Sequence, residues 1–150
     1  MNLLQNSRSR WPSFFLSVLI TSVAFSSSSS KEISALGRRL FSGKEELSGR
    51  MYTHTADMPT AVVRCSNCHA AGNGPAVARS SAPRLTRDLL LQARARRGGP
   101  PTSYNHDSFC KLLRKGIDPA YILINVAMPR YELSDDRCTA LWTFLTQGVE

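Results

Sequence analysis

Cys65-Ser66-Asn67-Cys68-His69 places two thiols three residues apart, with an imidazole directly after the second. Thiols at this spacing can add to the two vinyl groups of one porphyrin. A histidine beside the second thioether can then bring its ring nitrogen under the iron. C-x-x-C-H is the attachment signal for one covalent haem c. Two other chemistries use a C-x-x-C pair. A thioredoxin-like redox couple needs a strand–turn–helix setting, and no alternating strand stands out along the chain. A zinc site needs two further ligands, yet Cys110 and Cys138 form no second C-x-x-C or paired-histidine pattern. Haem attachment is the chemistry this spacing favours.

An iron held by His69 takes a sixth ligand if it is to carry electrons without binding substrate. The candidates downstream of the N-terminus are Met51, Met58, Met128, His54 and His106. Met128 is singled out by Pro129, which biases it to an extended conformation on a loop. It lies 59 residues after His69 and just before the last helix. A thioether raises the haem potential relative to a second imidazole, because it stabilises Fe(II). A closed six-ligand iron leaves no position for oxygen, peroxide or substrate. An open sixth position would instead suit a haem enzyme or gas sensor.

These groups have to be positioned by a small number of elements. Ile33, Leu36, Gly37, Leu40 and Phe41 recur at helical spacing, so Lys31–Phe41 reads as a helix. Gly37 on its apolar face marks a close approach of another backbone. Ser42–Pro59 reads as loop with little regular structure. A helix is expected over Leu85–Arg96, with Leu85, Leu89 and Ala93 inward. Another is expected over Asp107–Lys115, stopped by Gly116, with a helical turn or two over Ala120–Ala127. Ser134 can N-cap a final helix, with Asp135 and Asp136 favourably placed against its dipole.

At this point the chain resembles a bacterial class I c-type cytochrome, over roughly Ile33 to Thr146. The haem motif, the Met128-Pro129 segment and the aromatic C-terminal helix with Trp142 and Phe144 carry the likeness. Gly37 and Phe41 are similar to the glycine and aromatic of that family's N-terminal helix. Ala82-Pro83-Arg84-Leu85 is similar to the loop whose carbonyl accepts the proximal histidine's proton, which assigns that role to Pro83 or a neighbour. Leu112–Pro119 and Met128–Tyr131 resemble cytochrome domains that accompany periplasmic dehydrogenases. The resemblance implies an all-α, cytochrome c-like fold, with N- and C-terminal helices crossing around a covalently bound haem. It implies a one-electron carrier and no enzyme activity of its own. The partners it implies are redox proteins, namely a periplasmic dehydrogenase, a terminal oxidase or another cytochrome. One departure is plain. Phe41 and Cys65 are separated by 23 residues, so 42–64 is an enlarged loop before the haem motif, with the cytochrome domain spanning 33–150.

The rest of the composition agrees with export. Arg8 and Arg10 precede a 15-residue apolar run, Trp11–Phe25, and then five serines. This is the layout of a signal peptide, with Ser22-Val23-Ala24 as a cleavage site and 25–32 as a Ser-rich linker. The run is shorter than the roughly 20 residues of a spanning helix. Periplasmic location is therefore expected, or inner-membrane anchoring if the segment is retained. Cleavage leaves 126 residues, and the net charge falls from +8 to +6. In an oxidising compartment Cys110 and Cys138 favour a disulfide, although sequence leaves two separate buried thiols open. Arg84, Arg87, Arg94, Arg96 and Arg97 make the stretch after the motif basic. One or two can compensate haem propionates, and the rest can steer an acidic partner. Nucleic-acid binding is not expected of an exported haem protein whose basic residues are not interleaved with aromatics.

Overall fold

The computed structural model describes residues 25–78 and 80–148. The expected signal peptide, 1–24, lies outside them. Among the described residues no helix is long and apolar enough to cross a membrane. Helix α1 covers Phe25–Ser42. It takes in the Ser-rich stretch read as a linker, so the helix begins earlier than its apolar face predicts. Strand β1 (Ser48–Arg50) and the helical turn α2 (Thr60–Val63) lead into the C-x-x-C-H segment, which opens with a 3-10 turn (Cys65–Asn67). Helices α3 (Arg87–Leu91) and α4 (His106–Lys115) follow. Strand β2 (Arg130–Glu132) then precedes helix α5 (Asp135–Gln147).

The helix ends are written in side chains. Asn105 accepts from the Ser108 amide while the Ser108 hydroxyl accepts from the Asn105 amide, a reciprocal cap on α4. Gly116 ends α4 in the left-handed conformation, φ 69°. Ser134 accepts from the Arg137 amide at the start of α5, beside Asp135 and Asp136.

The core forms where α1 and α5 meet. A Cβ on Gly37 would stand 2.0 Å from the carbonyl oxygen of Ala140, so no side chain fits there. The absence of one lets Leu40 and Phe41 pack with Leu141, Phe144 and Leu145. Phe41 and Phe144 sit with ring centroids 5.6 Å apart, and Phe109 and Trp142 at 5.4 Å, inside the range for favourable aromatic pairs.

The all-α, cytochrome c-like expectation is corrected by the structure. The described residues combine helices with a two-stranded antiparallel sheet, β1 on β2, in the register Ser48↔Glu132, Gly49↔Tyr131, Arg50↔Arg130. Isolated bridges join Ala71 to Leu85 and Arg94 to Thr102. Strands this short cannot show a period-2 pattern, and their partners lie some 80 residues apart. The 42–64 loop accordingly carries more regular structure than expected, namely β1 and α2. The helix expected over Leu85–Arg96 shrinks to Arg87–Leu91, because Arg94 and Arg96 turn back to bond residue 102. Its buried residue is Leu90, while Ala93 is exposed. Residues 120–127 form turns, with Ile117 bridged to Leu123.

Candidate functional site

The haem-motif turn is held from both flanks. Asn67 donates to the carbonyls of Ala61 and Val62 at 2.9 and 2.8 Å and accepts from the Arg64 guanidinium. The amides of Cys68 and His69 both donate to the Cys65 carbonyl. These bonds wind the segment so that Cys65, Cys68 and His69 project from one tight turn. Both thiols are free.

A second loop orients the imidazole. Leu85 and Ala70 pair through their backbones, with Leu85 donating to Ala70 and Gly72 donating to Leu85. The Ser80 hydroxyl donates to the Cys68 carbonyl at 2.7 Å. These contacts bring the Pro83 carbonyl to 2.7 Å from His69 Nδ1. A carbonyl oxygen can only accept, so Nδ1 carries the proton. That leaves Nε2 with its lone pair, the tautomer a metal-binding imidazole needs.

Met128 is half-buried against the core, as are Cys65, Met58, Leu85 and Tyr104. Its loop is shaped by Asn125, whose side chain accepts from the Ala127 amide and whose carbonyl accepts from the Met128 amide. The chain then enters β2. Three residues after Met128, the buried Tyr131 donates its hydroxyl to the Val63 carbonyl at 2.6 Å. Burial pushes the Cys65 thiol up to about 11, opposed by the Tyr131 hydroxyl within hydrogen-bond reach. The structure therefore joins the strand that follows Met128 to the turn that carries Cys65.

The segment before the motif makes this junction. Gly49 pairs with Tyr131 and also accepts from the Met58 amide, and the Tyr131 ring lies over it where a Cβ would stand 3.1 Å away. Arg50 and Glu132 form an ion pair across the strands. The Thr60 hydroxyl accepts from the Leu47 amide and donates to the Leu47 carbonyl.

Arg130 is the residue that sequence reasoning missed. It is 7% exposed, and its Nε and Nη2 have no hydrogen-bond partner. Nη1 donates to the Met128 carbonyl at 2.5 Å. The guanidinium fills the space that Gly116 leaves, where a Cβ would come within 1.9 Å of Nε. Tyr52 lies against it, 5.6 Å from ring centroid to Cζ. Burial lowers its pKa. Buried donors without acceptors are costly, and two adjacent guanidinium N–H groups match one carboxylate in a forked pair. The signal in the sequence was a cation set between Pro129 and Tyr131 in an otherwise apolar setting.

One or two of the five arginines after the motif were expected to compensate propionates and the rest to face solvent, and the structure gives most of them protein partners. Arg84 donates to the carbonyls of Gly72 and Gly74, and Arg87 donates to the Thr146 carbonyl. Arg96 donates to Leu89 and Thr102 and lies over the Tyr104 ring. Arg94 bonds the Asp88 carbonyl and the Gln92 side chain, and Arg97 is exposed. Most of them tie loops. Of the alternative ligands, His54 is exposed and Met58 is half-buried. His106 is engaged elsewhere, with Thr139, Asp107 and Cys110. Cys110 and Cys138 are joined in a disulfide, Cα atoms 5.9 Å apart, that links α4 to α5.

The residues present fit a haem c. Two thiols share one turn, an imidazole is held in the ligating tautomer, a thioether lines the core, and a buried guanidinium lacks a carboxylate. The chain matches no protein-family model, no curated protein and no solved structure.

Proposed function

We infer that this chain is an exported mono-haem c-type cytochrome that carries single electrons. The hydrogen bond from His69 Nδ1 to the Pro83 carbonyl carries the reading. A disulfide-forming C-x-x-C has no use for an oriented histidine, whereas an iron ligand does. Cys65 and Cys68 would hold the porphyrin through thioethers, and His69 Nε2 and Met128 would be the axial ligands. When bound, the haem supplies a one-electron Fe(III)/Fe(II) couple. The chain's own residues bind, orient and exclude. Pro83 keeps the imidazole in one tautomer and one rotation. The bond from Tyr131 to Val63 and the β1–β2 pairing hold the strand behind Met128. Arg130 has unpaired donors that would suit a propionate, and a positive charge there would favour Fe(II). An iron held by both His69 and Met128 would have no position for substrate, which supports a role in electron transfer. The donor and acceptor proposed are redox proteins of the periplasm, such as a dehydrogenase and an oxidase or second cytochrome. The basic surface suits acidic docking faces.

Expression with haem-attachment machinery tests this. The mature chain should gain the mass of one haem that survives denaturation, and Cys65→Ser with Cys68→Ser should abolish it. The reduced spectrum should be low-spin, with no CO adduct. A colourless product, or a high-spin iron that turns over peroxide, would refute the reading.

A further inference from the structure

On the flank where α4 meets α5, His106, Cys110 and Cys138 bring one imidazole and two sulfur atoms together. All three potential ligand atoms lie within 4.8 Å of one another. We propose that, once the Cys110–Cys138 disulfide is reduced, these three residues form a zinc site that staples α4 to α5 in its place.

Helical spacing sets up the first half. His106 and Cys110 are i and i+4 on α4, so their side chains share a face. The imidazole Nε2 stands 3.6 Å from Cys110 Sγ. In a tetrahedral site with Zn–S about 2.3 Å and Zn–N about 2.0–2.1 Å, the nitrogen and sulfur are about 3.6 Å apart. The histidine is thus already placed. Only the two sulfurs need to part, to about 3.8 Å by the same geometry, which side-chain rotation on two adjoining helices can supply.

A second observation points the same way. Asp107 Oδ1 lies 3.0 Å from His106 Nδ1. A carboxylate on Nδ1 fixes the proton there and turns Nε2 toward the sulfurs, the arrangement that accompanies zinc-ligating histidines. The other neighbour of Nε2 is the Thr139 hydroxyl at 3.0 Å. Its single proton goes to the Asp135 carbonyl at 2.8 Å, a bond it can keep when a metal takes Nε2. Cys110 and Cys138 are buried, 4% and 0% exposed, so thiolates there are shielded from bulk water. An open groove reaches Cys110 between His106, Lys111 and Lys115, and it leaves room for a fourth, exogenous ligand. Its lysines favour thiolates and an anionic fourth ligand. Arg114, on the same wall, is neutralised by Asp135 at 2.7 Å.

The balance is simple. A phosphine reductant attacks the disulfide and, with one water, leaves as the phosphine oxide, yielding two Cys–SH. Zinc then displaces both thiol protons and binds neutral His106, so the site carries no net charge. The site itself does not depend on the haem reading.

The test uses the haem-loaded chain, reduced with a phosphine and freed of excess reductant without air, and given zinc alone. Bound metal is counted after gel filtration, and affinity is read by competition with a fluorescent zinc chelator. One zinc per reduced chain and none per oxidised chain are expected. His106→Ala should weaken binding at least 100-fold, and Asp107→Asn about 10-fold. Cys138→Ser should abolish it, with the visible haem spectrum reporting that the variant folds. No zinc in the reduced protein, or undiminished affinity in His106→Ala, overturns the proposal. Zinc that persists in Cys138→Ser but is lost in Cys65→Ser also overturns it, and it separately shows that Cys65 carries no thioether.

Discussion

The hydroxyl of Tyr131 donates to the carbonyl oxygen of Val63 at 2.6 Å, across 68 residues of chain. This one bond ties the strand behind Met128 to the turn that begins the haem motif. Its partner is a backbone carbonyl two residues before Cys65, so it senses the position of the motif itself. Burial, and then the neighbouring Cys65 thiol, raise the Tyr131 pKa above its ordinary value of 10.0.

Tyr131→Phe should therefore cost about 1–3 kcal/mol near neutrality, since the Val63 carbonyl is left unpaired in the interior. The pH dependence follows from the raised pKa. In the unfolded chain Tyr131 ionises as pH passes 10, while the folded chain keeps the proton, so stability is full below pH 10 and declines above it. Each pH unit above that costs up to about 1.4 kcal/mol. Urea midpoints of wild type and Tyr131→Phe between pH 8 and 11 should converge as pH rises. Parallel curves would show that the phenol does not titrate this way.

Met128→Ala should keep the haem, because both thioethers remain. The thioether–iron charge-transfer band of the oxidised protein should disappear, the midpoint potential should fall, and the reduced protein should bind CO. An unchanged visible spectrum would assign the sixth ligand to another residue, with Met58 and His54 next to examine.

Arg130→Gln removes the buried positive charge and keeps much of the side chain's volume. The reduced state loses more than the oxidised state. The midpoint potential should drop by about 60 mV or more, a tenfold shift in a one-electron equilibrium. Voltammetry of the two proteins at pH 7 decides it. A potential within a few millivolts of wild type would place the propionates away from Arg130.

Gly37→Val is expected to prevent α1 from docking. The added atoms meet the Ala140 carbonyl and the Phe144 side chain, where even one Cβ would stand at 2.0 and 2.7 Å. Overpacking of this kind costs about 3 kcal/mol or more. Thermal unfolding followed by circular dichroism should show a transition lowered by well over 10 °C or lost, and an unaltered transition would mean that α1 does not pack on α5 at this point.

Replacing both Cys110 and Cys138 by serine opens a loop of 27 intervening residues that contains Met128. The loop-entropy model gives on the order of 3 kcal/mol for that closure. Denaturant midpoints should fall accordingly, and the sixth ligand should be lost at lower denaturant than the helices, seen as loss of the charge-transfer band before loss of ellipticity. Simultaneous loss would mean that the disulfide stabilises the whole fold without a special hold on the ligand loop.

Local chemistry was legible in the residues. C-x-x-C-H announces itself by spacing alone, Ser134 and Gly116 mark helix ends through side-chain and backbone preferences, and Gly37 signals a close approach because a helix face otherwise has no use for glycine. Each of these depends on neighbours within a turn or two of chain. The resemblance located Pro83, and the geometry there is a 2.7 Å contact with His69. The all-α expectation did not survive, since β1 and β2 are three residues each and find one another only after the chain has folded.

By itself the sequence determined that two thiols and an imidazole share one short segment and where the longer helices end, because covalent spacing and helix capping are short-range. Only the tertiary structure decided which arginine lies buried with two donor atoms unpaired, which segment grips the strand behind Met128, and that Cys110 meets Cys138 beside His106. Those outcomes depend on burial and on pairings across tens of residues. Two guanidinium N–H groups are left open only because the fold has buried them and given an acceptor to Nη1 alone.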